Sequence, residues 1–224
     1  MRDATLVFDL DGTLVDTAPD LVGATNHVLA GLGLAPRPQA ELRPWISFGA
    51  RRMIVEALAA SGEARSEREV DDLLERFLDH YVENIAVLSR PFAGAVDALH
   101  ALRGRGARLA VCTNKREALA IRLLDLLGLS AMFAAIAGRD TFPVCKPHPD
   151  HLLGTIQQAG GTRSRAVMIG DSGVDVATAR AAGIAIVGVG FGYTDTPIRQ
   201  LGPDETIDSY TELEAALGRV LAGG

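Results

Sequence analysis

A chain of 224 residues with 48% hydrophobic and 22% charged side chains can bury one core domain, or a core domain with a small insert, and excludes a mainly disordered polymer. Its formal charge of −6, with no stripe of Lys and Arg interleaved with aromatics, excludes nonspecific nucleic-acid binding as the expected function. Cys112 and Cys145 offer neither a disulfide framework nor metal-ligand spacing, and no apolar run reaches membrane-spanning length, so a cytoplasmic protein without a membrane partner is expected.

The first apolar segment, Thr5 to Phe8, follows Met1 too closely and is too short for a signal peptide, and reads as a buried strand. It runs into Asp9-Leu10-Asp11-Gly12, two carboxylates at a strand end, where open α/β sheets bind ligands. Carboxylates leaving a buried strand are costly unless paired, hydrogen-bonded or metal-bound, so two together suggest a cation. Gly12 allows the backbone to turn and give the two acids separate roles. It stands at position four of the run, not at position six as an EF-hand loop requires; a generic Asp-x-Asp metal site stays open at this point.

From about Asp20 to Ser89 no strand is expected, and helical spacing recurs over Leu21 to Leu32, Ala50 to Ala60 and Glu67 to Ile85. Thr17-Ala18-Pro19 and Ser89-Arg90-Pro91-Phe92 carry turn chemistry at its two ends. The stretch reads as a helical insertion on two linkers. Arg43 to Arg52 reads as a loop leading into a helix, whose N-terminus and arginines could meet a carboxylate.

Beyond the insertion, strands are expected at Arg108 to Cys112, Ala134 to Ala137, Ala166 to Ile169 and Ala185 to Val189. Helices are expected at Ala93 to Leu102, Glu117 to Leu127, His151 to Gln158, Val174 to Ala182 and Tyr210 to Leu221. The alternation indicates an α/β fold, a doubly wound Rossmann-like parallel sheet formed by residues 1–16 and 90–224, with residues 17–89 inserted.

Each strand end brings polar groups. Thr113 and Asn114 can hydrogen-bond a phosphoryl oxygen, although Thr-Asn after a strand is more often a helix cap. Lys146 supplies a compact cation between Cys145 and Pro147. Asp171, Ser172 and Asp175 follow the fourth strand, with Asp175 four residues after Asp171, and suit magnesium, a hard cation that prefers oxygen ligands. The Gly170-Asp171-Ser172-Gly173 run has no nominated His and Asp partners for a serine hydrolase. His148 and His151 lack a third metal ligand and are expected to be exposed polar residues.

With these residues in view, Phe8-Asp9-Leu10-Asp11-Gly12-Thr13-Leu14-Val15-Asp16 resembles the first signature of the haloacid dehalogenase superfamily phosphatases. Thr113, Lys146-Pro147 and Gly170-Asp171-Ser172-Gly173-Val174-Asp175 resemble the later ones, in the same order. The resemblance implies Asp9 as nucleophile, Asp11 as general acid and base, and Thr113 and Lys146 on phosphate. It also implies magnesium held by Asp9, the Asp11 backbone carbonyl and Asp171, with Asp175 and Ser172 in support. The insertion resembles the family's helical C1-type cap. Thr17 to Leu21, Gly49-Ala50-Arg51 and Phe191-Gly192-Tyr193 with Thr194-Asp195 are similar to the phosphoglycolate phosphatase branch, which implies a small phosphorylated metabolite as partner. Gly12, Asn114, Ser47 and Arg51 are the substrate-binding candidates that go with it, and Phe48 stands where that branch commonly has Gly. A pyrophosphatase, a nucleotidase, a sugar phosphatase and a receiver-like phospho-switch are the alternatives. Residues 1–114 contain no lysine, which excludes a Schiff-base lysine from the insertion. Monomer and homodimer are equally compatible.

Overall fold

The structure is a computed structural model that describes residues 1–194 and 196–222. Strand β1 (Thr5–Phe8) is buried at every position. It lacks polar alternation because a parallel strand at a sheet centre is covered on both faces.

The chain then forms helices α1 (Ala18–Ala30), α2 (Gln39–Leu42), α3 (Ala50–Ala60) and α4 (Glu67–Glu83). Residues 43–48, expected as a loop, wind into a 3-10 helix that ends at Gly49 with φ 90°. Helix α4 opens with a reciprocal cap between Ser66 and Glu69. Val70, Leu73, Phe77 and Tyr81 form its buried stripe, and it packs against α1 and α3. Asp20, buried in the first turn of α1, accepts hydrogen bonds from Leu88 N (3.0 Å), Ser89 N (2.8 Å) and Ser89 Oγ (2.7 Å). That carboxylate clasps the two ends of the helical segment together.

The return leg runs α5 (Ala95–Gly104), β2 (Arg108–Cys112), α6 (Glu117–Leu126), β3 (Ala135–Ala137), α7 (Pro149–Gln158), β4 (Ala166–Gly170), α8 (Gly173–Ala182), β5 (Ala185–Val189), β6 (Glu205–Ile207) and α9 (Leu213–Ala222). The six strands of the main sheet are parallel, in the order β3-β2-β1-β4-β5-β6. This is the doubly wound Rossmann order, whose switch point lies between β1 and β4. The edge strand β6 escapes the sequence reading because Glu-Thr-Ile has no apolar run; pairing with β5 makes it a strand. Tyr210 to Glu212 forms a 3-10 turn before α9, so the last helix starts later than its periodicity suggests.

By contact density the chain divides into two compact units, Met1–Asp16 with the residues from Pro91 onward, and Thr17–Arg90. In the sheet unit, Val7, Ala110 and Met168 pack against Leu152 and Ile156 of α7 and Val176 and Ala179 of α8. Each fully buried Leu or Ile there contributes roughly 1.5–3 kcal/mol. Phe8 is level with Val111 of β2 and Ile169 of β4. The residues just after these three strands therefore emerge side by side. No described helix is long and apolar enough to cross a membrane.

Candidate active site

Asp9 is the first residue past β1, 8% exposed, and its N–H still donates to Ile169 O at 2.8 Å. Its Oδ1 accepts from Leu10 N at 2.7 Å and pairs with Lys146 Nζ at 2.9 Å. Its Oδ2 has no hydrogen bond among the described residues. Asp171, directly after β4 and fully buried, accepts from Thr13 Oγ1 (3.0 Å) and from Tyr193 N (2.7 Å). Asp175, in the first turn of α8, forms a reciprocal cap with Ser172 and pairs with Lys146 Nζ at 2.6 Å. One oxygen from each of Asp9, Asp171 and Asp175 lies within 4.8 Å of the others.

Glycines permit this convergence. A Cβ on Gly192 would stand 2.1 Å from Asp171 Cβ, and one on Gly170 would stand 2.5 Å from Asp175 Cβ. Gly12 has φ +85°, where side chains are strained, and turns the chain away from β1.

Burial pushes Asp9 up to about 7; Lys146 opposes the rise and Asp175 and Asp11 add to it. Burial, then repulsion from Asp175 and Asp9, pushes Asp171 up to about 8. Burial works against the Lys146 ammonium, yet Asp175 and Asp9 outweigh it and hold its pKa above the usual lysine range. Three buried carboxylates facing one ammonium leave an excess of negative charge. An oxygen-liganded metal ion fits that donor set, and the cluster could hold one.

Thr113, 1% exposed, accepts from Lys115 N at 3.2 Å through its hydroxyl oxygen. Asn114 Nδ2 donates to Lys146 O at 3.0 Å, which ties the loop after β2 to the loop carrying Lys146, and its Oδ1 is buried without a hydrogen bond. Asp11 stands apart from the carboxylate cluster: Lys115 Nζ reaches its two oxygens at 3.0 and 3.2 Å.

His151 corrects the sequence expectation. It is fully buried, and its Nδ1 accepts from Lys146 N at 3.1 Å. Burial and the nearby Lys146 ammonium lower its pKa to about 4, so the imidazole is neutral near pH 7. Pro149 starts α7 two residues earlier than expected, which turns His151 onto the same buried face as Leu152 and Thr155. Its spacing of four from Thr155 was the available signal. His148 keeps the expected exposure, its side chain 49% accessible. Burial pushes Cys112 up to about 12, consistent with a structural thiol.

Ser47 and Arg51 lie in the other unit. Ser47 Oγ is buried without a hydrogen bond. Arg51, expected as a substrate contact, pairs with Glu67 and, at 3.2 Å, with Asp71 of α4. Phe48 is 56% exposed. Tyr193 was noted in the sequence only as part of a resemblance, yet it binds Asp171 through its N–H and Asp16 through its hydroxyl at 2.5 Å. Asp195, next to it in that resemblance, lies outside the described residues. Thr13 and Lys115 were likewise missed as site residues.

Residues 6–189 match the haloacid dehalogenase-like hydrolase family. The chain belongs to this family. Among haloacid dehalogenase-like hydrolases it is 47% identical over 221 residues to a phosphoglycolate phosphatase of Mesorhizobium japonicum, covering 99% of this chain and 97% of the relative. It is 48% identical to a phosphoglycolate phosphatase of Agrobacterium fabrum, with 94% and 91% covered. The crystal structure of a predicted phosphoglycolate phosphatase from Haemophilus somnus superposes with a TM-score of 0.89 at 30% identity, covering 96% of this chain and 98% of that one. The resemblance drawn from Phe8 to Asp16 thus holds across the sheet and the helical segment alike.

Proposed function

We propose that the protein is a magnesium-dependent phosphomonoesterase that hydrolyses 2-phosphoglycolate to glycolate and phosphate through a phosphorylated Asp9. The buried cluster of Asp9, Asp171 and Asp175 around Lys146, with Asp9 Oδ2 unspent, carries this reading. The activity named for the Mesorhizobium and Agrobacterium relatives supports the substrate.

Asp9 Oδ2 attacks phosphorus as the bond from phosphorus to the alcohol oxygen breaks. The bonding pair leaves on that oxygen, which takes a proton from Asp11. Asp11, now a carboxylate, removes a proton from the water that attacks the phosphorylated Asp9; phosphate leaves and the Asp9 carboxylate is restored. Lys146 and the Thr113 hydroxyl hold phosphoryl oxygens through both steps, and Gly12 and Asn114 shape the same loops. Asp9, Asp171 and the Asp11 backbone carbonyl would hold magnesium, with Asp175 and Ser172 in support, and the ion when bound supplies positive charge to phosphoryl oxygens. Substrate choice is assigned in part to residues 17–89, with Ser47 as a contact.

The test is phosphate release from a panel of esters, 2-phosphoglycolate included, with magnesium present. Multiple turnovers that vanish in Asp9→Asn are expected. Near-normal activity of Asp9→Asn would sink the mechanism, and a single phosphorylation without release would favour a phospho-switch. A clear preference for pyrophosphate, a nucleotide or a sugar phosphate would replace the substrate and leave the mechanism standing.

A further inference from the structure

We propose that Lys115 is the positioning residue for Asp11, holding it apart from the metal-binding carboxylates and stabilising the carboxylate that Asp11 becomes when it gives up its proton. This rests on the reading of Asp11 as proton donor.

Four carboxylates follow the strands at one end of the sheet, and three of them, Asp9, Asp171 and Asp175, converge within 4.8 Å. Two ammonium groups hold three of the four. Lys146 Nζ bridges Asp9 and Asp175 at 2.9 and 2.6 Å, while Lys115 Nζ grips both oxygens of Asp11 at 3.0 and 3.2 Å. A grip on both oxygens fixes the rotation of the carboxylate as well as its place. The Lys115 side chain is 5% exposed and that of Asp11 16%, so water screens the pair weakly.

The lysine is itself held. Its N–H donates to Thr113 Oγ1 at 3.2 Å, and its carbonyl accepts from Arg139 N at 2.9 Å. Gly138 lets that carbonyl approach, because a Cβ there would stand 2.7 Å from Lys115 O. On the other side, the turn after β1 closes through Gly12 N to Val15 O at 3.0 Å and Val15 N to Leu10 O at 3.0 Å. Both partners therefore project from fixed backbone.

The chemistry follows from charge. As the bond from phosphorus to the alcohol oxygen breaks, its electron pair stays on that oxygen and the Asp11 proton moves to it. The negative charge left on Asp11 develops 3.0 Å from the Lys115 ammonium. Lys115 donates no proton in this step and acts through Asp11.

The test uses the full-length enzyme with magnesium and follows alcohol release in a single turnover. One ester has a poor leaving group, 2-phosphoglycolate or another alkyl phosphate that the enzyme turns over. The other, 4-nitrophenyl phosphate, has a leaving group that needs little protonation. Lys115→Met should slow the alkyl ester roughly 10- to 100-fold, a part of the ~10²–10⁴ that general acid catalysis supplies. Its half-saturating concentration should stay within about 3-fold and the aryl ester should slow by about 3-fold or less, the remote charge mattering little where no proton is needed. Lys115→Arg should recover most of the alkyl rate by restoring a paired cation. Lys115→Gln replaces Lys115→Met if thermal unfolding shows the latter does not fold.

Equal losses with both esters, a change confined to half-saturation, or no loss at all would overturn the inference. Asp11→Asn measured alongside separates the two readings. Leaving-group dependence in Asp11→Asn but not in Lys115→Met removes the role of Lys115 alone. Its absence from both removes the reading of Asp11, and the inference falls with it.

Discussion

The sheet unit and the helical unit spend their charges differently. In the sheet unit Asp9, Lys146, Asp171 and Asp175 are buried and lean on one another. In the helical unit Arg51, Glu67 and Asp71 meet at the surface, with side chains 39%, 88% and 65% exposed. Surface pairs are screened and add little, whereas buried carboxylates facing a single ammonium oppose folding unless a further cation joins them. A cluster that works against stability points to chemistry, and a network that costs nothing points to solubility.

The largest expected effect is on the buried side. Asp9→Asn should lower single-turnover phosphoryl transfer by about 10³-fold or more, since a nucleophile has no substitute in the site. Its fold should be kept, as circular dichroism would check. A loss of only a few fold would make Asp9 a metal ligand and break the contrast.

Asp20 sharpens the contrast from the other unit, where it is the one buried acid among the described residues. Its partners are neutral N–H and O–H groups at the far end of the segment, so it serves structure. Asp20→Ala should cost roughly 2–3 kcal/mol in chemical denaturation, the range for hydrogen bonds to a buried charged group. A cost below about 0.5 kcal/mol would show that the clasp is ornamental.

Proton linkage gives the next prediction. Asp9 and Asp171 titrate near 7 and 8 when folded, above the ordinary carboxylate value of 3.8. Between these limits the folded chain binds more protons than the unfolded one, so in EDTA stability should fall as pH rises from about 4 to about 8. Magnesium favours the ionised carboxylates and should raise the melting temperature more at pH 8 than at pH 5. At 100 times its dissociation constant the gain should be about 2.7 kcal/mol. A gain independent of pH would place the ion elsewhere.

Arg51→Ala should do least. An exposed, screened pair of this kind adds little stability, so unfolding should barely shift. The Michaelis constant should also stay within about 3-fold, because the loss of so weak a surface pair converts to no more than a few fold. A rise of 10-fold or more would support the substrate-contact role read for Arg51 from the sequence.

Much of the site was legible because strand ends announce themselves. An apolar run stopped by Asp9, Thr113 or Asp171 leaves a polar group where the sheet edge must be. Lys146 was legible through the Lys146-Pro147 pair. Lys115 and His151 were not, because a lysine after a loop and a histidine in a first turn are usually solvated, and only burial separates them from that majority. The ion pairs of Arg51 were hidden for the converse reason: its partners Glu67 and Asp71 lie on another helix, 16 and 20 residues away.

By itself the sequence determined the parallel α/β sheet, the helical insertion and the family, since apolar runs, Gly stops and short motifs are local and survive without coordinates. Tertiary structure decided which charges meet. It added β6 by pairing, turned His151 inward behind Lys146, and divided Asp9, Asp11 and Asp175 between two lysines. Those outcomes depend on contacts between residues far apart in the chain, such as Asp11 and Lys115 across 104 positions, which no local pattern encodes.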